Sequence, residues 1–261
     1  MTDLSADVIA RRLTSQSFGR PVYYYDEIGS TMPEALARAR AGDPEGALVI
    51  ADAQTAGRGR LGRSWLSEGG VNLTFSLVLR PTLDQVRGLP IIAGLAGARA
   101  VRAVTGLPAE IKWPNDLVIG DRKFSGILID AELQGAAVKH VIYGQGINVN
   151  QDVSRFPEIA GTATSLAAEA GRPIDRVELL VRVLAELEDA YDRLRSEPPP
   201  LTEWMNLSAS IGRRVEARSA GGVEIGWAEA VDAEGALLLR RGDGRLVRLI
   251  SGEVTLRPVT W

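Results

Sequence analysis

Three consecutive prolines, Pro198-Pro199-Pro200, break this 261-residue chain shortly before its character changes. Their ring-locked backbone lacks N–H donors and can continue neither a helix nor a β-ladder. Ahead of them the elements are long and alternate in type. Leu4 to Leu13 has helical apolar spacing, Val22 to Ile28 reads as a strand, and Thr31-Met32-Pro33-Glu34 resembles a capping box for a helix over Ala35 to Ala41. Ala47 to Ala53 and Asn72 to Leu79 read as strands, the second by alternation, and Asp84 to Thr105 as a long helix closed by Gly106. Four strand-like runs follow: Glu110 to Trp113, Asp116 to Ile119, Lys123 to Leu133 and Lys139 to Val149. Asp175 to Leu194 is an amphipathic helix with Val177, Leu180, Val181, Leu184, Leu187 and Tyr191 on one face. After Met205 the chain turns to short strands: Val215 to Arg218, Val223 to Ala230, Ala236 to Arg240, Leu246 to Ile250 and Thr255 to Val259. Glycine turns punctuate them, which predicts a small barrel. The expectation is a mixed α/β domain over 1–209 and a barrel over 210–261, divided near Ser210.

Composition removes most catalytic chemistries. With no cysteine there is no disulfide, thiolate metal site or thioester intermediate. The one histidine, His140, rules out a multi-histidine zinc site, and no G-x-S-x-G elbow offers it a serine. His140 lies in the alternating run Val138 to Ile142 and is expected to be an ordinary strand residue. What remains is Arg, Lys, Asp, Asn, backbone amides and a bound metal. No apolar run approaches the roughly 20 residues of a membrane helix, and residues 1–20 lack a secretory pattern. A cytoplasmic protein is expected. A net charge of −3 gives no overall basic footprint for nucleic acid.

The sharpest motif is Gly57-Arg58-Gly59-Arg60-Leu61-Gly62-Arg63-Ser64-Trp65. It fits G-x-G-x-x-G and nearly fits a P-loop. Both of those loops hand phosphates to the N-terminus of a following helix. Here Gly69-Gly70 and a β-rich run follow, so neither pattern has its helix. What is left is a glycine loop carrying three permanently charged guanidinium groups, each shaped to grip phosphate or carboxylate through two hydrogen bonds. The glycines allow close backbone approach and an open-to-closed transition over a ligand. Three further polar and glycine islands stand at strand ends: Lys112-Trp113-Pro114-Asn115-Asp116, Lys123-Phe124-Ser125-Gly126-Ile127-Leu128 and Gly144-Gln145-Gly146-Ile147-Asn148-Val149-Asn150. Together they favour a cleft for anions and a nucleotide.

In order and approximate spacing these four segments resemble the motifs of biotin protein ligases. Ser30, Thr31 and Gln54 fit the family's biotin-site positions, and Ser251 to Arg257 is similar to the end of its C-terminal SH3-like domain. The resemblance spans about Tyr23 to Pro258. It implies a catalytic α/β domain related to class II aminoacyl-tRNA synthetases, with a mixed sheet, and a C-terminal SH3-like barrel. It implies activation of biotin by ATP with Mg²⁺ to biotinyl-AMP, then transfer to a lysine of a biotin carboxyl carrier protein domain. By this resemblance Arg60 and Lys123 face the carboxyl–phosphate junction, and Asp116 orients or deprotonates the acceptor lysine. Ser30, Thr31, Gln54, Gly57, Arg58, Arg60, Lys123 and Gly126 serve biotin. Arg60, Arg63, Trp65, Asn115 and Asn148 serve the nucleotide, and no protein metal site is implied. About 20 residues precede the first strand, so a ligase without an N-terminal DNA-binding domain is expected. No DNA or membrane partner is expected, and a homodimer stays open. One departure is Met32, where the family usually has Asn.

A lipoate or octanoate ligase on the same fold is the alternative, although it usually lacks the arginine–glycine loop. An RNA-binding module is opposed by the charge and by an aromatic content of 5%. A P-loop kinase is opposed by the missing helix.

Overall fold

A computed structural model describes residues 4–256, apart from 136, 220 and 251. Ser251 and the segment from Arg257 onward, which includes most of the expected Thr255 to Val259 strand, lie outside the described residues. In chain order the first elements are α1 (Ala6–Arg12), β1 (Val22–Ile28), α2 (Thr31–Ala41), β2 (Leu48–Gln54), β3 (Leu73–Leu79) and α3 (Leu83–Thr105). Then come β4 (Glu110–Lys112), β5 (Asp116–Ile119), β6 (Arg122–Gln134), β7 (Ala137–Ile147), α4 (Leu166–Ala170), α5 (Arg176–Arg193) and α6 (Leu201–Asn206). The remainder is β8 (Arg214–Ser219), β9 (Gly222–Val231), β10 (Leu237–Arg240), β11 (Leu246–Leu249) and β12 (Glu253–Leu256).

Seven strands form a mixed sheet in the order β1-β2-β3-β7-β6-β5-β4. Only β1 and β2 run parallel, joined by the α2 crossover; the other pairs are antiparallel. One face carries Leu48, Ile50, Phe75, Leu77 and Tyr143 against α3 and α5. The other carries Val49, Val78 and Ile142 against the alanine-rich face of α2. The last five strands, where the short strands of the second domain are expected, form an antiparallel sheet, β11-β10-β9-β8-β12. Trp113 ties it to the larger sheet: its buried indole donates to the Gly235 carbonyl at 2.9 Å, and its backbone N–H to Ser210 Oγ at 3.1 Å.

Three local expectations are corrected. Thr31 does not head a capping box with Glu34. The N-cap is Ser30, without a side-chain cap bond, because the Thr31 N–H is taken by Gln54 Oε1 (2.8 Å) and Glu34 by Tyr25 Oη (2.8 Å) and Arg38 (2.8 Å). The β3 strand does not alternate between core and solvent; both its faces are buried, since α2 covers the side opposite α3. On α5 the buried face is wider than the heptad-like set, taking in Leu179 and Val183, while Val181 is only half-buried. The short helices α4 and α6 carry no long apolar period and were not legible in the sequence.

Arg176 opens α5 fully buried, its Nη1 donating to Asp52 Oδ1 at 2.7 Å and to the Asn72 carbonyl at 3.0 Å. A cation at a helix N-terminus opposes the macrodipole. The pair therefore persists through its carboxylate and carbonyl partners, and it pins β2 and the start of β3 to α5. Removing one member of such a pair strands the other charge in low dielectric. Arg176→Met is expected to cost about 3–5 kcal/mol of stability, read as a lower urea midpoint; a midpoint equal to wild type refutes this.

Candidate functional site

The candidate site is built on the α2 face of the sheet, from rows of residues that face each other across strands. Directly paired residues share a face. One row is Asp116, Gly126, Gly146 and Thr74, from β5, β6, β7 and β3. The next is Leu128, Gly144 and Ser76. Large side chains in these rows would have filled the space. The small ones leave a cavity of about 440 Å³ beneath α2 and the glycine–arginine loop.

Two side chains fit into what the glycines leave open. The Met32 sulfur sits 2.4 Å from where a Cβ on Gly144 would be. The Trp65 indole lies over Gly146 and Gly126: a Cβ on Gly146 would stand 2.3 Å from Cε2, and one on Gly126 3.4 Å from Cζ3. The loop that carries Trp65 is a hairpin. Arg58 bridges Ser64, the Gly59 N–H donates to the Arg63 carbonyl (2.8 Å), and the Trp65 N–H donates to the Gly57 carbonyl (2.9 Å). A single 3₁₀ turn, Arg60–Gly62, forms its tip. No helix follows, so neither phosphate-loop geometry is present. Gly57 is required at the base because a Cβ there would meet the Trp65 carbonyl oxygen at 2.5 Å.

At one end the cavity is polar and uncharged. Thr31 Oγ1 and Ser76 Oγ share a 2.9 Å hydrogen bond, beside Ser30 and Gln54. At the other end the lining carries Arg58, Arg60, Arg63, Lys112 and Lys123 against Asp116 and Asp121. Both carboxylates are already paired, Asp116 with Lys123 Nζ at 2.6 Å and Asp121 with Arg213 at 3.1 Å. Lys123 is therefore held at the cavity by Asp116, and its backbone is fixed by Thr162 and Thr164, whose carbonyl and N–H bond it at 2.9 and 2.8 Å. Arg60 Nη1 donates to Asn115 Oδ1 (3.0 Å) and to the Gly252 carbonyl (3.2 Å), and Val254 and Thr255 of the second sheet also reach the lining.

Of the residues singled out in the sequence, Ser30, Thr31, Gln54, Arg58, Arg60, Arg63, Trp65, Asn115, Asp116, Lys123 and Gly126 line this one cavity. Gly57 and Asn148 stand behind it. Asn148 is buried, donating from Nδ2 to the Thr164 carbonyl at 3.1 Å and from its N–H to the Phe124 carbonyl at 2.7 Å. His140 is buried on β7 outside the lining, and desolvation holds its pKa below the ordinary imidazole value. Sequence inspection missed Thr74 and Ser76. Their signal was the small polar residue at every second position of Leu73-Thr74-Phe75-Ser76-Leu77, which matches the Gly144-x-Gly146 period of β7.

Residues 31–148 match the Biotin/lipoate A/B protein ligase family, and residues 210–257 match the Biotin protein ligase C terminal domain. The class defined by fold and site is thus that of the protein ligases for biotin and lipoate. A Bacillus subtilis protein named "Bifunctional ligase/repressor BirA" is 36% identical over 97% of this chain and 79% of its own length. A Mycobacterium tuberculosis "Biotin--[acetyl-CoA-carboxylase] ligase" is 35% identical, with 87% of this chain and 86% of that protein covered. The structure described as "Biotin protein ligase from Aquifex aeolicus in complex with biotin and ATP" superposes with a TM-score of 0.77 at 31% identity, covering 91% of this chain and 99% of that one. The chain belongs to the biotin protein ligase family and is a ligase.

The seating of Trp65 is testable by size alone. Neither Gly126 nor Gly146 has a positive φ, so alanine there acts only through its methyl. Gly146→Ala is expected to unseat the indole and shift tryptophan emission to the red, and Gly126→Ala to do so far less. Equal spectra for the two variants contradict the arrangement.

Proposed function

We propose that this ligase joins biotin to a lysine of a biotin carboxyl carrier protein domain in two steps, in the cytoplasm and without a DNA-binding role. The observation that carries this reading is the convergence of Arg58, Arg60, Arg63 and Lys123 on one cavity whose far end is polar and uncharged. The Aquifex aeolicus relative, described with biotin and ATP, supports the choice of ligands.

In the first step a carboxylate oxygen of biotin attacks the α-phosphorus of ATP, and pyrophosphate leaves. Two anions must meet, so the site has to supply positive charge in place before they do. Arg60 and Lys123 supply it at the carboxyl–phosphate junction. Ser30, Thr31 and Gln54 bind the ureido head, Arg58 and Gly126 line its approach, and Gly57 acts from behind by closing the base of the loop. Arg63, Trp65, Asn115 and Asn148 hold the nucleotide, with Asn148 acting from behind through the segment it fixes. Among the described residues no group of three or more His, Cys, Asp or Glu is placed to hold a metal. Magnesium, which is usually held through nucleotide phosphates with one or two carboxylates at most, would come with ATP and add positive charge beside Arg60 and Lys123. In the second step the neutral lysine amine attacks the acyl carbon, AMP leaves, and the amine gives up a proton. Asp116 stands at the cavity to orient that amine or take the proton. The catalytic unit is 1–209, and 210–261 closes one side through Gly252 to Thr255. Ordering of the loop over the ligands shields the mixed anhydride from water.

The test is biotin-dependent exchange of labelled pyrophosphate into ATP. Wild type is expected to exchange with biotin and not with lipoate; exchange with lipoate alone moves the assignment to the alternative ligase. Arg60→Ala and Lys123→Ala are each expected to lose about 100-fold or more. Asp116→Asn is expected to form biotinyl-AMP yet fail to pass it to a carrier domain. Transfer at the wild-type rate removes Asp116 from the second step.

A further inference from the structure

We infer that Trp65 is a hydrogen-bond donor to the bound ligand, its indole N–H taking an acceptor oxygen of the acid or of the nucleotide. The inference rests on the proposed function and concerns how the same cavity recognises what enters it.

Three observations meet at this side chain. The Trp65 Nε1 is buried and has no hydrogen-bond partner, and among the described residues lining the cavity it is the one side-chain donor in that state. An indole N–H can only donate, so it cannot be satisfied by a neighbouring donor. Burial without an acceptor is costly, and such groups concentrate where a ligand completes them. The second observation is the seat. Gly126 and Gly146 are direct cross-strand partners; a Cβ on Gly146 would collide with the ring, while the bare Gly126 lies beside its Cζ3. The third is the orientation of the ring on that seat. Cε2, Cζ2 and Nε1 are the atoms nearest the Gly146 Cβ position, while Cζ3 is the one over Gly126. The N–H edge therefore lies toward β7, and the benzo edge lies toward Lys123, whose Nζ is 5.8 Å from the ring centroid. The two donors stand at opposite ends of one flat surface.

This division has a chemical consequence. Lys123 is the charged donor at the benzo end, held there by Asp116. The indole N–H at the other end offers a neutral donor, its direction set by the ring lying against the Gly146 position. It reads the position of an oxygen rather than its charge. Thr74, next in the same row, does not compete for that oxygen as a donor, because its Oγ1 already donates to the Ala51 carbonyl at 2.9 Å.

The experiment follows the five indole N–H resonances of the ¹⁵N-labelled full chain, with that of Trp65 assigned by its loss in Trp65→Phe. Biotin alone, a non-hydrolysable ATP analogue alone, and both together are titrated in separate arms. The Trp65 resonance is expected to move downfield in the arm whose ligand supplies the oxygen, which identifies the acid or the nucleotide as its source. Trp65→Phe, which keeps an aromatic ring on the seat, is expected to weaken binding of that ligand about tenfold, or ~1.4 kcal/mol. Trp65→Ala is expected to weaken it further. An unmoved Trp65 resonance in all three arms, with saturable binding on other signals, overturns the inference and leaves the proposed function standing. Wild-type affinity in Trp65→Phe, or tighter binding in Trp65→Ala, does the same. Absence of any saturable binding of biotin overturns both.

Discussion

A pair of glycines facing each other across β6 and β7 sets the limits within which the rest of the site is arranged. Gly126 and Gly146 leave a patch of bare backbone in the middle of a sheet that is otherwise densely covered. Any Cβ at Gly146 would collide with the loop that lies over it, so the position of the glycine–arginine loop depends on that missing side chain. The loop in turn carries its three arginines to the cavity, and the hairpin hydrogen bonds between Gly57 and Trp65 hold the charged tip over the floor. Small residues at Thr74, Ser76 and Gly144 extend the same device toward α2. Binding space in this fold is created by omission, in strands whose other face packs a full apolar core.

Charge is then held near the cavity by partners from neighbouring segments. Lys123 is paired with Asp116, and Arg60 with the neutral oxygens of Asn115 and Gly252. Gly252 belongs to the second sheet, so the smaller unit contributes directly to the placement of a charge in the larger one. The buried Arg176–Asp52 pair works on the opposite side of the strands, fixing β2 and β3 so that Gln54 and Thr74 keep their register over the cavity.

Much of this was legible before the fold was seen. The strands carrying the cavity, the amphipathic α5 and the arginine loop all follow from period and punctuation, and the absence of cysteine with a single histidine left cationic chemistry as the resource. The capping-box reading of Thr31 failed because its local logic was sound but incomplete. Gln54 and Ser76, distant in sequence, compete for the same groups and win. Asn148, expected to hold the nucleotide, stands behind the lining with its Nδ2 on the Thr164 carbonyl, a partner sixteen residues away.

The sequence by itself determined which residue types were available and where strands and loops would fall, because hydrophobic period, glycine and proline act locally. It also carried, in four ordered motifs, the likeness to the biotin protein ligases. Only the tertiary structure decided which of those residues meet. Strand register puts Asp116, Gly126, Gly146 and Thr74 into one row, and a slip of one residue would have turned each of them to the opposite face. The orphaned indole of Trp65 and the hold of Gly252 on Arg60 are likewise products of packing between distant segments, for which no local pattern exists.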